Sequence, residues 1–154
     1  MTMPAATIRT AVAATIAFSM IASGAVIDGA HAQSPLEAVE SAEKGELKNP
    51  YSGDAAAAQE GHKLYMAAGC NGCHGGTGGG GMGPPLSNAV WVYGDDDDTL
   101  FRLITLGSDD LQAAGYSRIG TESVVGPMPH AKEIVKSADD MWKIIAWIES
   151  LHEG

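Results

Sequence analysis

Cysteine is scarce in this chain: its 154 residues include two, Cys70 and Cys73. A structural zinc site needs four ligands, and the histidines that could complete one are scattered without ligand spacing: His62, His130 and His152. A thioredoxin-like redox pair belongs near a βαβ pattern, which the sequence lacks. A structural disulfide between the two thiols is an alternative that these counts leave open, and it would suit an exported protein.

Basic residues are also few, with 9 Lys and Arg against 19 Asp and Glu, which gives a formal net charge of −10 at pH 7. Such an acidic chain repels phosphate backbones and anionic headgroups, so nucleic acid and anionic membrane surfaces are disfavoured as partners. The charge suits a basic patch on a partner protein, or solubility alone.

Long apolar runs are absent after residue 27. Residues 11–27 form a run of apolar and small side chains after Arg9, and Ala30-His31-Ala32 fits the small-x-small pattern that signal peptidase cleaves. We therefore predict that residues 1–32 are an export signal cleaved near Ala32, and that the mature chain contains no membrane span. A retained anchor is the alternative, but the run is short for a span of ~20 residues.

Sustained alternation of polar and apolar residues is absent too, so an all-α fold is predicted. Helix-forming patterns mark three segments: residues 54–69, residues 99–107 after an acidic run suited to capping, and a segment that begins at Ser137. Residues 33–53 are polar and are predicted to lie as an N-terminal arm over a single domain of residues 54–154, outside its core.

The predicted helices leave little to fill a core. Residues 75–86 hold seven glycines and two prolines, which disfavour regular structure, and residues 107–136 form an unusually long loop for a compact domain. Something other than side chains is therefore expected at the centre of the fold.

The two cysteines belong to Cys-Asn-Gly-Cys-His, residues 70–74, and C-x-x-C-H is the attachment signature of c-type haem. In a helical turn, positions i and i+3 share a face, so both thiols can add to the two vinyl groups along one porphyrin edge. His74 then turns its imidazole onto the iron. We predict one covalent haem c, with Cys70 and Cys73 as its anchors and His74 as an iron ligand.

A second iron ligand is expected from methionine, because a His/Met pair suits an electron carrier and raises the potential. Met82 follows His74 too closely to cross the ring, and Met141 belongs to the apolar stripe of the last helix. Met128 lies between two prolines that stiffen its loop, so it is the predicted ligand. The alternative is that Met128 only packs on the haem edge while His130 or water binds.

A backbone carbonyl in residues 83–86, assigned to Pro84, is predicted to accept a hydrogen bond from the free N–H of His74; an ordinary turn is the alternative. The acidic residues 95–98 are interpreted as a capped helix start, with a calcium or partner contact as the alternative. Four aromatic residues are interpreted as haem-pocket or core packing rather than as an electron relay: Trp91, Tyr93, Trp142 and Trp147.

The chain resembles class I cytochromes c through C-x-x-C-H, the GPPL segment, the Met-Pro loop and the C-terminal amphipathic helix. Over residues 49–151 it is similar in particular to the cytochrome c-L type, in the stretches NPYSGD, GCNGCHGGTGGGGMGPPL, WVYGDDDDTLFRLITLG and MWKIIAWI. The resemblance implies the class I fold and a periplasmic carrier that takes single electrons from a pyrroloquinoline-quinone (PQQ) alcohol dehydrogenase, typically a methanol dehydrogenase. The carrier would pass them to another cytochrome c or to an oxidase.

Other classes of function stay open at this point. One is a general periplasmic carrier for another dehydrogenase. Another is a small haem enzyme, which would need an open sixth iron position, and a Met128 ligand argues against that. A haem-based sensor would usually need an output domain, and none is predicted in this sequence.

Overall fold

The computed structural model describes residues 33–121 and 125–152, and the predicted export signal lies outside them. Five helices follow one another along the chain: α1 (Pro35–Ser41), α2 (Ala55–Ala67), α3 (Asn71–His74), α4 (Asp97–Ala113) and α5 (Ala138–Glu149). The described residues contain no strand, so the all-α prediction is confirmed. Within the same ranges, no helix combines the length and apolarity that crossing a membrane requires.

Helices α2 and α5 pack against each other at the centre of the fold, and both were predicted. Asp54 caps α2 and Ser137 caps α5, each by accepting hydrogen bonds from first-turn backbone N–H groups. The two helices approach closely because Gly61 has no side chain: a Cβ there would lie 1.8 Å from the carbonyl oxygen of Lys143. The crossing therefore depends on a glycine at this position.

The N-terminal arm contributes to the core, which differs from the expectation that it would lie outside. Residues 35–41 form α1, and Ala38 and Val39 belong to the same buried cluster as residues of α4 and α5. Arg102 of α4 fixes the end of this helix by donating to three carbonyl oxygens, those of Val39, Ala42 and Glu43. Three buried residues on one short helix are enough to dock a segment whose overall composition is polar.

Helix α4 begins inside the acidic run, two residues before the predicted segment 99–107, and it extends beyond that segment. Asp96 caps it by accepting from the N–H of Thr99. Gly107 interrupts the helix with φ 79° and ψ 169°, and the helix then resumes as far as Ala113. The prediction of a single loop over residues 107–136 was therefore wrong at its start, because Ser108 and the two aspartates after it favour a new helical turn.

The remainder of that loop is tied to the body of the fold by backbone hydrogen bonds. The N–H groups of Ile119 and Gly120 donate to the carbonyl oxygen of Val92, at 2.8 and 3.1 Å. The N–H of Ala131 donates to the carbonyl oxygen of Ile104 at 2.8 Å. These bonds fix two sides of a cavity between α3, α4 and α5.

Candidate functional site

The cavity has a volume of about 630 Å³ and is bordered by the end of α2, α3, the glycine-rich segment, α4, residues 125–134 and α5. Ligand pockets in proteins span roughly 300 to 1,000 Å³, so the space is large enough for a substantial cofactor. Every residue that the sequence singled out for the site lines it: Cys70, Cys73, His74, Pro84 and Met128. The expectation of a centre not filled by side chains thus corresponds to a real cavity.

The C-x-x-C-H segment forms the short helix α3 and places its reactive groups on the cavity wall. The N–H groups of Cys73 and His74 both donate to the carbonyl oxygen of Cys70, at 3.2 and 3.0 Å, which closes a single tight turn. Both cysteines are partly buried and are not joined to each other, so the structure does not support the disulfide alternative. Burial raises the pKa of the Cys70 thiol, which favours its neutral form.

His74 is oriented by the segment that follows it. Its Nδ1 lies 2.9 Å from the carbonyl oxygen of Pro84, the hydrogen bond that the sequence predicted. A carbonyl can only accept, so Nδ1 carries the hydrogen, and in the neutral imidazole Nε2 is then the nitrogen whose lone pair can bind a metal. Gly83 allows this arrangement, because a Cβ there would lie 2.7 Å from Cε1 of the imidazole.

Two residues of α2 hold the chain immediately after His74. The hydroxyl of Tyr65 donates to the carbonyl oxygen of Gly75 at 2.6 Å, and Nε2 of His62 lies 2.8 Å from the carbonyl oxygen of Gly76. Burial, with the nearby cysteines, raises the pKa of Tyr65 to about 12, so its hydroxyl remains a donor. The attachment turn is therefore fixed to α2 as well as to the glycine-rich segment.

The three methionines that follow the C-x-x-C-H motif differ in burial and in position. Met141 is fully buried in the α5 interface, as expected of a core residue. Met82 and Met128 both line the cavity, but Met82 is 60% exposed while Met128 is partly buried against the core cluster. His130, the alternative to Met128 as a ligand, also lines the cavity and is exposed.

Trp91 supplies a test of whether these residues fit haem. Trp91 lines the cavity, and its indole Nε1 is buried and has no hydrogen-bond partner among the described residues. A buried N–H donor without an acceptor is costly, and a haem carboxylate would satisfy it. The two thiols, the oriented imidazole and this unpaired donor line one cavity, so the residues fit the cofactor that C-x-x-C-H predicts.

The aromatic and acidic groups have structural partners. Trp142 packs on Phe101 and Trp147 on Tyr65, each with ring centroids 4.3 Å apart, which agrees with a packing role. Asp98 accepts from Arg102 at 2.9 Å and is buried. Within residues 33–121 and 125–152, no group of three or more His, Cys, Asp or Glu side chains is arranged to hold a metal ion.

Sequence reasoning missed several residues that shape the site. Ser108 contacts Met128, His62 contacts Gly76, and the cavity-lining Trp91 has a buried indole N–H without a partner among the described residues. In both contacting pairs, the two residues are more than ten positions apart in the sequence. No local sequence pattern predicts such a contact. Trp91 was interpreted from the sequence as haem-pocket or core packing, but its unpaired N–H was not predicted.

The profile of the family described as Cytochrome c matches residues 58–152. The "Cbb3-type cytochrome c oxidase subunit CcoP" of Azospirillum brasilense is 34% identical over 83 residues, which cover 49% of this chain and 28% of that protein. The chain thus spans less than a third of the length of this curated relative.

Two solved structures are also similar. Cytochrome CL from the marine methylotrophic bacterium Methylophaga aminisulfidivorans is 26% identical with a TM-score of 0.50, over 73% of this chain and 71% of that one. Cytochrome cL from Hyphomicrobium denitrificans is 29% identical with a TM-score of 0.49, over 66% of this chain and 51% of that one.

Proposed function

The chain belongs to the cytochrome c family, and from that premise we propose that it is a periplasmic monohaem carrier for a PQQ-dependent alcohol dehydrogenase, typically a methanol dehydrogenase. It has the class I cytochrome c fold and carries haem c, which undergoes reversible one-electron oxidation at its iron. Electrons would leave to another cytochrome c or to an oxidase. The observation that carries the proposal is a cavity lined by C-x-x-C-H in a chain similar over most of its length to a cytochrome cL.

The roles of the site residues are part of the proposal. The thiols of Cys70 and Cys73 would hold the porphyrin through two thioether bonds, each made by addition of S–H to a vinyl group, which needs no oxidant. His74, through Nε2, and Met128, through its sulfur, would be the protein ligands of the iron. The Pro84 carbonyl would orient the imidazole by accepting from Nδ1–H, as such hydrogen bonds do for metal-bound histidine.

The mouth of the cavity supplies a docking surface for a redox partner. Three exposed apolar residues from two segments line the cavity: Met82, Val125 and Ile134, which are 60%, 80% and 55% exposed. Redox encounters use small interfaces, below about 1,200 Å², so that carriers can leave again. An apolar rim of this kind gives close approach without a large buried area.

Acidic residues at the same mouth would steer a basic partner. Asp109 is exposed and lines the cavity, and the exposed Asp110 follows it. The other acidic run, residues 95–98, contributes no residue to the cavity wall, and Asp96, Asp97 and Asp98 accept hydrogen bonds within the fold. We therefore assign the steering charges to Asp109 and Asp110.

Stopped-flow reduction by a purified PQQ alcohol dehydrogenase with its substrate tests this proposal. The rate should fall as salt rises, because exposed charges are screened beyond about 8 Å at physiological ionic strength. The double variant Asp109→Asn/Asp110→Asn should be reduced more slowly at low salt and show a shallower salt dependence. Its matched control is Glu40→Gln/Glu43→Gln, which removes two exposed charges from the N-terminal arm. The control should behave as wild type.

Two results would contradict the proposal in different ways. If no quinone alcohol dehydrogenase from the same organism reduces the protein at low salt, the assigned donor is wrong and a general carrier for another dehydrogenase is favoured. If the iron of the wild-type protein binds carbon monoxide rapidly and the protein turns over peroxide, the carrier role itself is wrong and a small haem enzyme is favoured.

A further inference from the structure

Ser108 holds the backbone of Met128 through two hydrogen bonds. Its N–H donates to the carbonyl oxygen of Met128 at 3.0 Å, and its Oγ accepts from the N–H of Met128 at 2.9 Å. Ser108 is itself buried, and both Ser108 and Met128 line the cavity. Reciprocal bonds between one pair of residues fix both the position and the direction of the Met128 backbone.

The flanking prolines make the side-chain bond more important. Pro127 and Pro129 have no N–H, so the N–H of Met128 is the one backbone donor in residues 127–129. The Ser108 hydroxyl is the group that accepts from it. Without that hydroxyl, the three-residue segment would lose the hydrogen bond that its own backbone donates.

The interruption of α4 creates the space for this contact. Gly107 has a φ of 79°, and a Cβ there would lie 2.8 Å from the carbonyl oxygen of Met128 and 2.9 Å from the backbone nitrogen of His130. The Met128 segment therefore lies directly against a glycine backbone. Ser108 stands next to the gap, where the chain re-enters the helix.

We infer that Ser108 is a positioning residue for the sulfur of Met128, acting through its hydroxyl. The inference rests on the proposed ligation of iron by Met128. The Met128 segment has no helix of its own, so the position of the sulfur depends on the two hydrogen bonds between Ser108 and Met128. If one of these bonds were lost, the sulfur would leave the iron more often, and an added ligand would compete for the iron more effectively.

Imidazole titration of the oxidised holoprotein measures this competition through the far-red sulfur-to-iron band. Ser108→Ala should retain the band but bind imidazole about 2- to 10-fold more tightly, the change expected from losing one hydrogen bond. Ser108→Thr keeps the hydroxyl and should stay close to wild type. Ser108→Cys keeps the shape but has a weak acceptor, so it should fall between them and serves if the alanine variant does not fold.

Ser150→Ala is the matched control. The hydroxyl of Ser150 donates to the carbonyl oxygen of Trp147 at 2.6 Å, so the substitution also removes one serine hydrogen bond, but away from the cavity wall. Its imidazole affinity should equal that of wild type. Met128→Ala is the reference for complete loss of the sulfur ligand and should bind imidazole most tightly.

The outcomes separate this inference from the proposed ligation. If Ser108→Ala and Ser108→Cys match wild type while Met128→Ala binds imidazole tightly, Ser108 does not position the sulfur and Met128 remains the ligand. If Ser108→Thr binds as tightly as Ser108→Ala, the hydroxyl is not the acting group and the inference is overturned. If Met128→Ala leaves the affinity unchanged, both the proposed ligation and the inference are wrong.

Discussion

Adding a methyl group at Gly61 should open the crossing between α2 and α5. A Cβ at this position would lie 1.8 Å from the Lys143 carbonyl oxygen and 2.4 Å from its carbonyl carbon, both backbone atoms that cannot rotate away. Restoring ordinary contact needs the helices to separate by about 1.6 Å or more. Overpacking of this kind costs about 3 kcal/mol or more, and the better helix propensity of alanine returns about 1 kcal/mol. The net loss in the free energy of unfolding should be about 2 kcal/mol or more.

Guanidinium denaturation of the Gly61→Ala holoprotein, followed by far-UV circular dichroism, measures this loss. Gly72→Ala is the matched control, because Gly72 is also helical and a Cβ there would meet nothing within 4 Å. It should unfold at the wild-type midpoint or slightly above. A Gly61→Ala protein as stable as the control would refute the argument that this crossing depends on a bare backbone.

Two further predictions concern buried polar groups. Burial raises the pKa of Asp98, but hydrogen bonds from Arg102 and Tyr116 outweigh it and hold the pKa below its usual value. A depressed pKa means that the carboxylate stabilises the fold at neutral pH and that this is lost as the pH falls through the folded-state pKa. Asp98→Asn should therefore destabilise the fold at pH 7 and less at pH 3; equal losses in denaturation at both would contradict this. Trp91→Phe removes the unpaired indole donor, so haem should still attach while the potential in a redox titration falls; an unchanged potential would show that no haem carboxylate uses this N–H.

The sequence was informative where structure is local. The cap at Asp54, the cap at Ser137 and the C-x-x-C-H turn each depend on residues within four positions of one another. Such spacings determine which backbone N–H groups a side chain can reach and which side chains share a helical face. The Pro84 carbonyl was predictable for a similar reason, since it lies only ten positions from His74.

The sequence was uninformative where distant segments meet. The arm docks because Arg102 reaches carbonyl oxygens about sixty positions earlier, and its polar composition hides three buried residues. A glycine at position 107 predicts the end of a helix, whereas in the structure its positive φ interrupts α4 and the helix then continues to Ala113. The contact between Ser108 and Met128 depends on that turn, so it could not be predicted before the turn was known.

The two methionines on the cavity wall allow the most direct test of the proposed carrier. Met128→Ala and Met82→Ala remove the same side chain from the same cavity, but Met82 lies at its exposed mouth. In the oxidised holoprotein, Met128→Ala should lose the far-red sulfur-to-iron band, whereas Met82→Ala should keep the wild-type spectrum. A Met128→Ala protein that retains the band would contradict the proposed iron ligation and the electron-carrier site built on it.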